Sequence, residues 1–269
     1  MIDPSSYEYF DIEISDGVAS IVINRPEALN ACRTSDHAEM GRILRDLQRD
    51  DRVRSALITG AGRAFCVGGD YSIGEDVVSE DRTLKLKIYE DAREIVYAHL
   101  DLEKPVVAAI NGMASGGGSA FALLCDITVA DRSARIADGH IAGGIAAGDG
   151  GMLTWPLNVG IMKAKRYLLT GDWIAAEEAE RIGLITEVVD DGECVATAMT
   201  YARRLADAPQ TAVRYTKRAL QMQLRRVAME SFEVSLALEI LGTDTGEHQE
   251  LVQGWKSGAK FPDHHGLKH

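Results

Sequence analysis

Hydrophobic residues in the first half of the chain follow the short periods of β-strands. "YFDIEIS" and "VASIVIN" flank the pair Asp16-Gly17, which predicts two antiparallel strands joined by a two-residue turn. Continuous apolar runs come later in "VRSALITG", "KPVVAAING" and "DITVAD", and each predicts a short buried strand. The strands therefore fall into a region that ends near residue 131.

Segments whose apolar residues recur with the period of a helix lie between these strands and make up most of the chain after them. A helix is expected after residues 34–36, with Ser35 or Asp36 as its N-cap, and another over about 82–101. From about residue 161 the pattern is mostly helical, with a break expected at Pro209.

Strands that alternate with helices indicate an α/β core. We assign residues 1–200 to this core and residues 201–269 to a C-terminal helical region of the same structural unit, because no linker rich in Pro or Ser separates them. Residues 71–82 are expected to form a loop that lines the substrate pocket.

Composition excludes several classes of function. The 269 residues carry a net charge of −12, which argues against a nucleic-acid partner. The sequence shows neither a signal-peptide apolar region nor an apolar run of the roughly 20 residues that span a membrane, so we expect a cytoplasmic protein without a membrane partner. The four widely spaced cysteines fit buried free thiols, and no metal-binding motif is present.

Two glycine-rich segments carry the first candidate chemistry. They are "GRAFCVGGDY" (62–71) and "NGMASGGGSA" (111–120), and each follows a predicted strand, where α/β folds usually build sites. Gly69 and Gly117 lack a Cβ, so a ligand could approach their backbone N–H groups closely. Two such donors directed at one carbonyl oxygen form an oxyanion hole. The alternative is that the glycines only permit tight turns or close packing.

Several motifs together identify a family resemblance. The chain resembles the enoyl-CoA hydratase/isomerase, or crotonase, superfamily in five segments: "NRPEALNA" (24–31), "AFCVGGDY" (64–71), "INGMASGGG" (110–118), "GDGGMLTWPLNVG" (148–160) and "LLTGDWIAAEEAERIGLITEVV" (168–189). The resemblance implies a crotonase-like ββα spiral followed by a C-terminal helical trimerisation region. It also implies a homotrimer or a dimer of trimers.

The same resemblance implies the ligand and its contacts. The substrate would be an acyl-CoA, with coenzyme A as part of the substrate and no permanently bound cofactor. Gly69 and Gly117 would donate to the thioester oxygen and stabilise the enolate. Arg25 and Ala28 would lie near the CoA moiety, although Arg25 alone also fits a solvated surface charge.

The chain departs from the family where hydratases carry two catalytic glutamates. Ala120 occupies the first position and His140 the second, and alanine has no proton chemistry. Asp149 follows His140 in a Gly- and Ala-rich segment that could fold back on itself. A carboxylate partner raises the basicity of an imidazole, so this pair could take a proton from water or from a substrate carbon. The alternative is a structural histidine and an aspartate that caps a helix.

Residues 138–160, "DGHIAGGIAAGDGGMLTWPLNVG", also resemble the 6-oxocamphor hydrolase branch, which cleaves a C–C bond in a cyclic β-diketone. The corresponding residues are His140, Asp149 and Glu239, although Glu239 alone also fits an exposed carboxylate on a helix. Three functions therefore stay open. They are an acyl-CoA enzyme that uses His140 and Asp149, a hydrolase that cleaves a β-dicarbonyl C–C bond by a retro-Claisen step, and a non-catalytic acyl-CoA-binding protein.

Overall fold

The strands form two sheets in the computed structural model of the chain, which describes residues 1–79 and 81–257. Six strands form the larger sheet in the order β1-β2-β3-β5-β7-β10, and four form the smaller one in the order β4-β6-β8-β9. The strands are β1 Phe10–Ser15, β2 Val18–Ile23, β3 Ser55–Gly60, β4 Ala64–Cys66, β5 Val106–Ile110, β6 Met113–Ser115, β7 Ile127–Asp131, β8 Arg135–Ala137, β9 Ile174–Ala175 and β10 Glu187–Val189.

The first two strands form the predicted hairpin. They pair antiparallel from Phe10 opposite Ile23 to Ser15 opposite Val18. Asp16 and Gly17 both have left-handed backbone angles, with φ of 53° and 82°. Two consecutive positive φ values are typical of the turn that matches the twist of a hairpin. The prediction from Asp16-Gly17 is confirmed.

The strands after the hairpin repeat as pairs. In each pair, β3-β4, β5-β6 and β7-β8, the first strand joins the large sheet and the second joins the small sheet. Strands β3, β5 and β7 are parallel to one another, as are β4, β6 and β8. Helices follow the first two pairs directly, so the chain winds as the expected ββα spiral. Every residue of β3 and β5 is buried, which explains their continuous apolar sequences.

Helices cover the sheets and form most of the second half of the chain. Among the described residues they are α1 Thr34–Arg49, α2 Tyr71–Val78, α3 Arg82–Asp101, α4 Gly117–Leu123, α5 Gly151–Val159, α6 Ile161–Thr170, α7 Ala176–Arg181, α8 Cys194–Asp207, α9 Gln210–Val227, α10 Glu233–Gly242 and α11 Gly246–Lys256. A π-helical turn, Ala228–Phe232, joins α9 to α10. Pro209 is the N-cap of α9 and lies between this helix and α8, so the predicted break in the helical pattern is confirmed.

Two local predictions were wrong. Helix α1 begins at Thr34 with Arg33 as its N-cap, and Asp36 instead lies one turn inside, where its carboxylate accepts a hydrogen bond from the Arg33 N–H at 2.8 Å. The segment expected to be a loop over 71–82 contains helix α2. Asp70 caps this helix by accepting a hydrogen bond from the Ser72 N–H at 2.7 Å, an interaction that acidic loop composition alone does not reveal.

The C-terminal helices pack directly on the core. Alanines on one face of α8 lie against buried residues of β3 and β5, including Leu57 and Val107. The ammonium of Lys217 on α9 donates to the Lys104 carbonyl at 2.8 Å and to the Asp126 carboxylate at 2.7 Å. The division at residue 200 stays a prediction, but these contacts tie the two parts closely together.

Within residues 1–79 and 81–257, no helix has both the length and the apolar character that crossing a membrane would require. All four cysteines are free thiols, and Cys125 is the least buried of them.

Candidate active site

The two candidate oxyanion-hole glycines lie on neighbouring loops at one end of the small sheet. Gly69 follows β4 and Gly117 follows β6, and these two strands are hydrogen-bonded neighbours. The sequence predicted that these glycines follow the strands in "VRSALITG" and "KPVVAAING", which are β3 and β5. That placement was wrong, because a second short strand, β4 or β6, lies between and joins the small sheet. Gly117 begins helix α4, as expected.

The glycines of these loops have different roles. A Cβ on Gly118 would lie 2.3 Å from the Cys66 carbonyl oxygen, so this glycine is required for close packing of the two loops. Gly68 has a φ of 90°, which favours glycine, and a Cβ there would lie 3.6 Å from the Gly117 nitrogen. The packing explanation therefore holds for Gly118, and the turn explanation holds for Gly68.

Gly69 and Gly117 line a cavity of about 720 Å³, together with Gly68 and Gly116. Neither N–H donates a hydrogen bond to any acceptor in the described part of the chain. Gly69 is exposed and Gly117 is half-buried. The backbone of both residues is thus available to a ligand in the cavity.

Beside these glycines, His140 lies among three carboxylates. Its Nδ1 donates to Asp138 Oδ1 at 2.7 Å, and its Nε2 lies 3.3 Å from Asp149 Oδ2 and 3.8 Å from Glu239 Oε1. Because a carboxylate only accepts, the contact with Asp138 fixes a proton on Nδ1. The orienting carboxylate is therefore Asp138, which the sequence analysis did not identify, whereas Asp149 lies at the opposite ring nitrogen.

Small residues allow this cluster to assemble from distant parts of the chain. A Cβ on Gly151 would lie 2.1 Å from Asp138 Oδ2, and one on Gly148 would lie 2.7 Å from Glu239 Oε2. The side chain of Glu239 on α10 is only 13% exposed, so its interpretation as a surface carboxylate was wrong. The Gly- and Ala-rich composition of 139–151 is the sequence signal for this close packing.

The carboxylates determine the charge of His140. Burial opposes the imidazolium, but the nearby carboxylates of Asp149 and Asp138 outweigh burial and raise the pKa of His140 well above its usual value. Burial also acts against the ionised form of Asp149, yet the positive charge of His140 lowers the pKa of that carboxyl. The resting pair is therefore an imidazolium beside a carboxylate, not the neutral base assumed from sequence.

Glu239 is the exception among the carboxyl groups. Burial raises its pKa to about 8; Asp149 adds to this effect, and His140 opposes it. Glu239 is therefore protonated at neutral pH and can donate a hydrogen bond.

The raised pKa of Glu239 predicts a pH-dependent stability. The folded chain holds this proton up to about pH 8, whereas the unfolded chain loses it near the ordinary value of 4.5, so the free energy of unfolding decreases between these limits. Glu239→Gln should remove this dependence, because an amide does not titrate. As the pH rises from 5 to 9, the free energy of unfolding of the variant should therefore increase by about 2–4 kcal/mol relative to that of wild type. Urea denaturation at both pH values measures the change.

Glu230→Gln provides the control, since the Glu230 side chain is 64% exposed. Equal pH dependence in wild type and Glu239→Gln would contradict the prediction.

Ala120 shows why the ordinary hydratase glutamate is missing. The residue is buried at the start of α4's second turn, and a Cβ on Gly150 would lie 3.0 Å from the Ala120 Cβ. The segment that carries Asp149 therefore occupies the space into which a longer side chain at 120 would extend. Ala120 and Asp149 are linked by packing.

Arg25 and Ala28 lie outside the set of cavity-lining residues, although their neighbours Leu29 and Ala31 belong to it. The Arg25 guanidinium forms an ion pair with Asp70 and donates to the Ala31 carbonyl at 2.8 Å. Fully buried Asn30 holds this segment in place, because its amide donates to the Ala64 carbonyl at 2.8 Å. A role for Arg25 and Ala28 in CoA binding stays a prediction.

One wall of the cavity comes from α10 and α11. Helix α10 contributes Leu236, Glu239 and Ile240, the turn after it contributes Thr243, and α11 contributes His248. The ligand atoms of His140, Asp149 and Glu239 lie within 4.8 Å of one another, which also suits a divalent cation. A cation at this position would have to displace the proton of the His140 imidazolium, which the nearby carboxylates stabilise. The absence of a metal, expected from the sequence, stays a prediction.

Comparisons with known proteins agree with the sequence resemblance. Residues 13–261 match the family described as enoyl-CoA hydratase/isomerase. The short-chain-enoyl-CoA hydratase of Clostridium acetobutylicum is 36% identical over 78% of this chain and 79% of its own length. The 1,2-epoxyphenylacetyl-CoA isomerase of Escherichia coli is 34% identical over 79% of this chain and 82% of its own.

Solved structures include an enoyl-CoA hydratase/isomerase from Mycobacterium paratuberculosis, with a TM-score of 0.88 and 38% identity over 91% of this chain and 97% of that one. A β-diketone hydrolase from the cyanobacterium Anabaena, bound to (S)-3-oxocyclohexyl acetic acid, has a TM-score of 0.82 and 28% identity over 89% of this chain and 96% of that one.

Proposed function

The chain belongs to the enoyl-CoA hydratase/isomerase family, and we propose that it processes an acyl-CoA thioester with His140 and Asp149 in place of the usual pair of glutamates. One observation carries this proposal: the cavity that contains His140 and Asp149 is also lined by Gly69 and Gly117. Acid–base groups thus lie beside two unpaired N–H groups, the donors that an enolate oxygen requires.

The electrostatics assign a role to each acid–base group. In hydration of an enoyl thioester, the ionised Asp149 takes a proton from water as the water oxygen bonds to the β-carbon. The His140 imidazolium gives its Nε2 proton to the α-carbon, while the N–H groups of Gly69 and Gly117 stabilise the charge on the thioester oxygen. The proton then returns from Asp149 to His140 across their 3.3 Å contact.

A substrate panel tests the proposal. Purified protein is incubated with crotonyl-CoA and with 1,3-cyclohexanedione, and mass spectrometry detects the addition of one water to each. We expect hydration of the CoA thioester, and failure to convert it would contradict the proposed activity. The third alternative, a non-catalytic binding protein, requires that neither compound is converted.

Hydrolysis of a β-dicarbonyl C–C bond is the second candidate. Two observations favour it: Glu239 joins His140 and Asp149 in one cluster, and a β-diketone hydrolase is among the similar structures. In this reaction water deprotonated by Asp149 attacks a carbonyl carbon, the C–C bond breaks, and His140 protonates the released enolate carbon. Conversion of the diketone without conversion of crotonyl-CoA would select it.

Gly117→Ala tests whether the substrate must approach the backbone closely at this position. Alanine keeps the N–H, but its Cβ would lie 2.8 Å from Asp149 Oδ2, so it displaces this carboxylate and fills the space beside the donor. We expect kcat to decrease about 10²- to 10³-fold, an effect as large as the loss of an oxyanion donor. Because Gly117 does not have a positive φ, the melting temperature should change little.

Gly246→Ala is the matched control, since a Cβ there meets no atom within 4 Å. Retention of full activity by Gly117→Ala would show that the substrate does not need the space beside the Gly117 backbone.

We also propose the homotrimer, or dimer of trimers, that the family resemblance implies. Large apolar side chains on α9 and α10 are more than half exposed, among them Leu220, Met222, Val234 and Leu241. Contiguous exposed apolar surface is typical of a protein interface. Light scattering should give three or six times the chain mass of 29.2 kDa, and Met222→Lys should lower it. A monomeric wild type would contradict the proposal.

A further inference from the structure

His37 lines the cavity but has no part in the chemistry proposed above. It lies in the first turns of α1. Its Nδ1 is buried, and neither ring nitrogen has a hydrogen-bond partner among the residues that the structure describes. Because burial of an unpaired polar group costs free energy, such a group requires an explanation.

The surroundings of His37 explain why it has no partner within the chain. The part of the cavity wall formed by α2 and α3 is apolar, and its side chains offer no hydrogen bond: Ile73, Val77, Ile88 and Ala92. Burial lowers the pKa of His37, and the carboxylates of Asp149 and Asp91 only partly oppose this effect. The imidazole is therefore neutral at pH 7 and offers one N–H donor and one acceptor.

His37 also lies close to the reacting groups. His37, Asp149 and Gly117 line the same cavity, and Asp149 Oδ2 lies where a Cβ on Gly117 would be 2.8 Å away. A substrate whose thioester oxygen is held at Gly117 would therefore extend its acyl group along a wall that contains this imidazole. A purely hydrocarbon chain would leave both ring nitrogens unpaired in the occupied cavity.

We infer that His37 donates a hydrogen bond to a ketone oxygen of the substrate, so that the site prefers an oxo-substituted acyl group over a hydrocarbon one. This inference rests on the proposed function, because it takes the first carbonyl to be bound at Gly69 and Gly117. The ligand would carry a second carbonyl close to the first. An oxoacyl thioester and a cyclic diketone both have this feature.

Binding of matched ligand pairs tests the inference without requiring turnover. Calorimetry compares acetoacetyl-CoA with butyryl-CoA, and 2,2-dimethyl-1,3-cyclohexanedione with 2,2-dimethylcyclohexanone, since each pair differs by one ketone oxygen and the methyl groups keep the diketone from ionising. Wild type should bind the oxo member of at least one pair about tenfold more tightly, and the pair that shows it distinguishes thioester from diketone. His37→Leu should reduce this ratio of affinities to about twofold, because only the oxo ligand should bind more weakly.

Two further variants separate recognition from a structural role. His37→Asn keeps a donor and should retain part of the preference, whereas Ile88→Val changes the cavity wall and should affect both members of a pair equally. Equal affinity of wild type for the members of both pairs, or a preference that survives in His37→Leu, would overturn the inference. Absence of turnover with an intact preference would instead contradict the proposed function alone.

Discussion

His140→Ala is expected to lower kcat by about 10³-fold, because it removes the group that supplies a proton to the substrate carbon. The side chain lies among Asp138, Asp149 and Glu239, and no other described residue supplies a positive charge within this cluster. Without the imidazole, Asp149 has no neighbouring base to which it can return the proton that it takes from water in each cycle. Steady-state kinetics with the substrate identified by the panel measures the loss.

The affinity for substrate should change much less than kcat in this variant, since Gly69 and Gly117 remain in place. Glu230→Gln is the control, since this exposed side chain is not among the residues that line the cavity and the variant should keep full activity. Unchanged kcat in His140→Ala would remove this residue from the mechanism and favour a role in structure.

Asp138→Asn is expected to lower kcat by about 10²- to 10³-fold although Asp138 does not reach the substrate. Its carboxylate fixes the His140 ring through the 2.7 Å bond to Nδ1 and helps to raise the pKa of the imidazole. A neutral amide removes that charge and can present either oxygen or nitrogen to Nδ1. The pKa of His140 should fall, and the variant's pH–rate profile should move to lower pH.

The pH profile distinguishes this positioning role from simple destabilisation. Loss of packing would reduce the amount of folded enzyme at every pH without moving the profile, whereas loss of the carboxylate charge moves it. NMR titration of the His140 ring gives the same information independently of activity. A profile that stays in place, with kcat reduced, would show that Asp138 acts only through packing.

The fold was largely predictable because its signals are local. Apolar runs defined β3, β5 and β7, and Asp16-Gly17 defined the hairpin, since the residues that determine these elements are adjacent in sequence. Helix α2 was missed because its start depends on the Asp70 cap, and its eight residues are too few for helical periodicity to stand out from the sequence. The assignment of strands to two sheets depends on pairing between distant segments, which periodicity does not report.

The candidate site was predictable only in part. Gly69, Gly117, His140 and Asp149 came from motif positions, and the structure brings all four to one cavity. The position of Glu239 depends on how α10 packs against Gly148, a contact between residues far apart in the chain. The charge of His140 depends on Asp138, Asp149 and Glu239 together, and the sequence did not indicate Asp138, which holds the Nδ1 side of the ring.

The wall formed by α10 and α11 has a consequence for substitutions in this fold. The loops that present the glycines belong to the spiral, whereas Glu239 and the far side of the cavity come from two of the last described helices. Substitutions in these helices can alter the shape and charge of the cavity without changing the loops that present Gly69 and Gly117. The cavity wall and the backbone donors can therefore change independently.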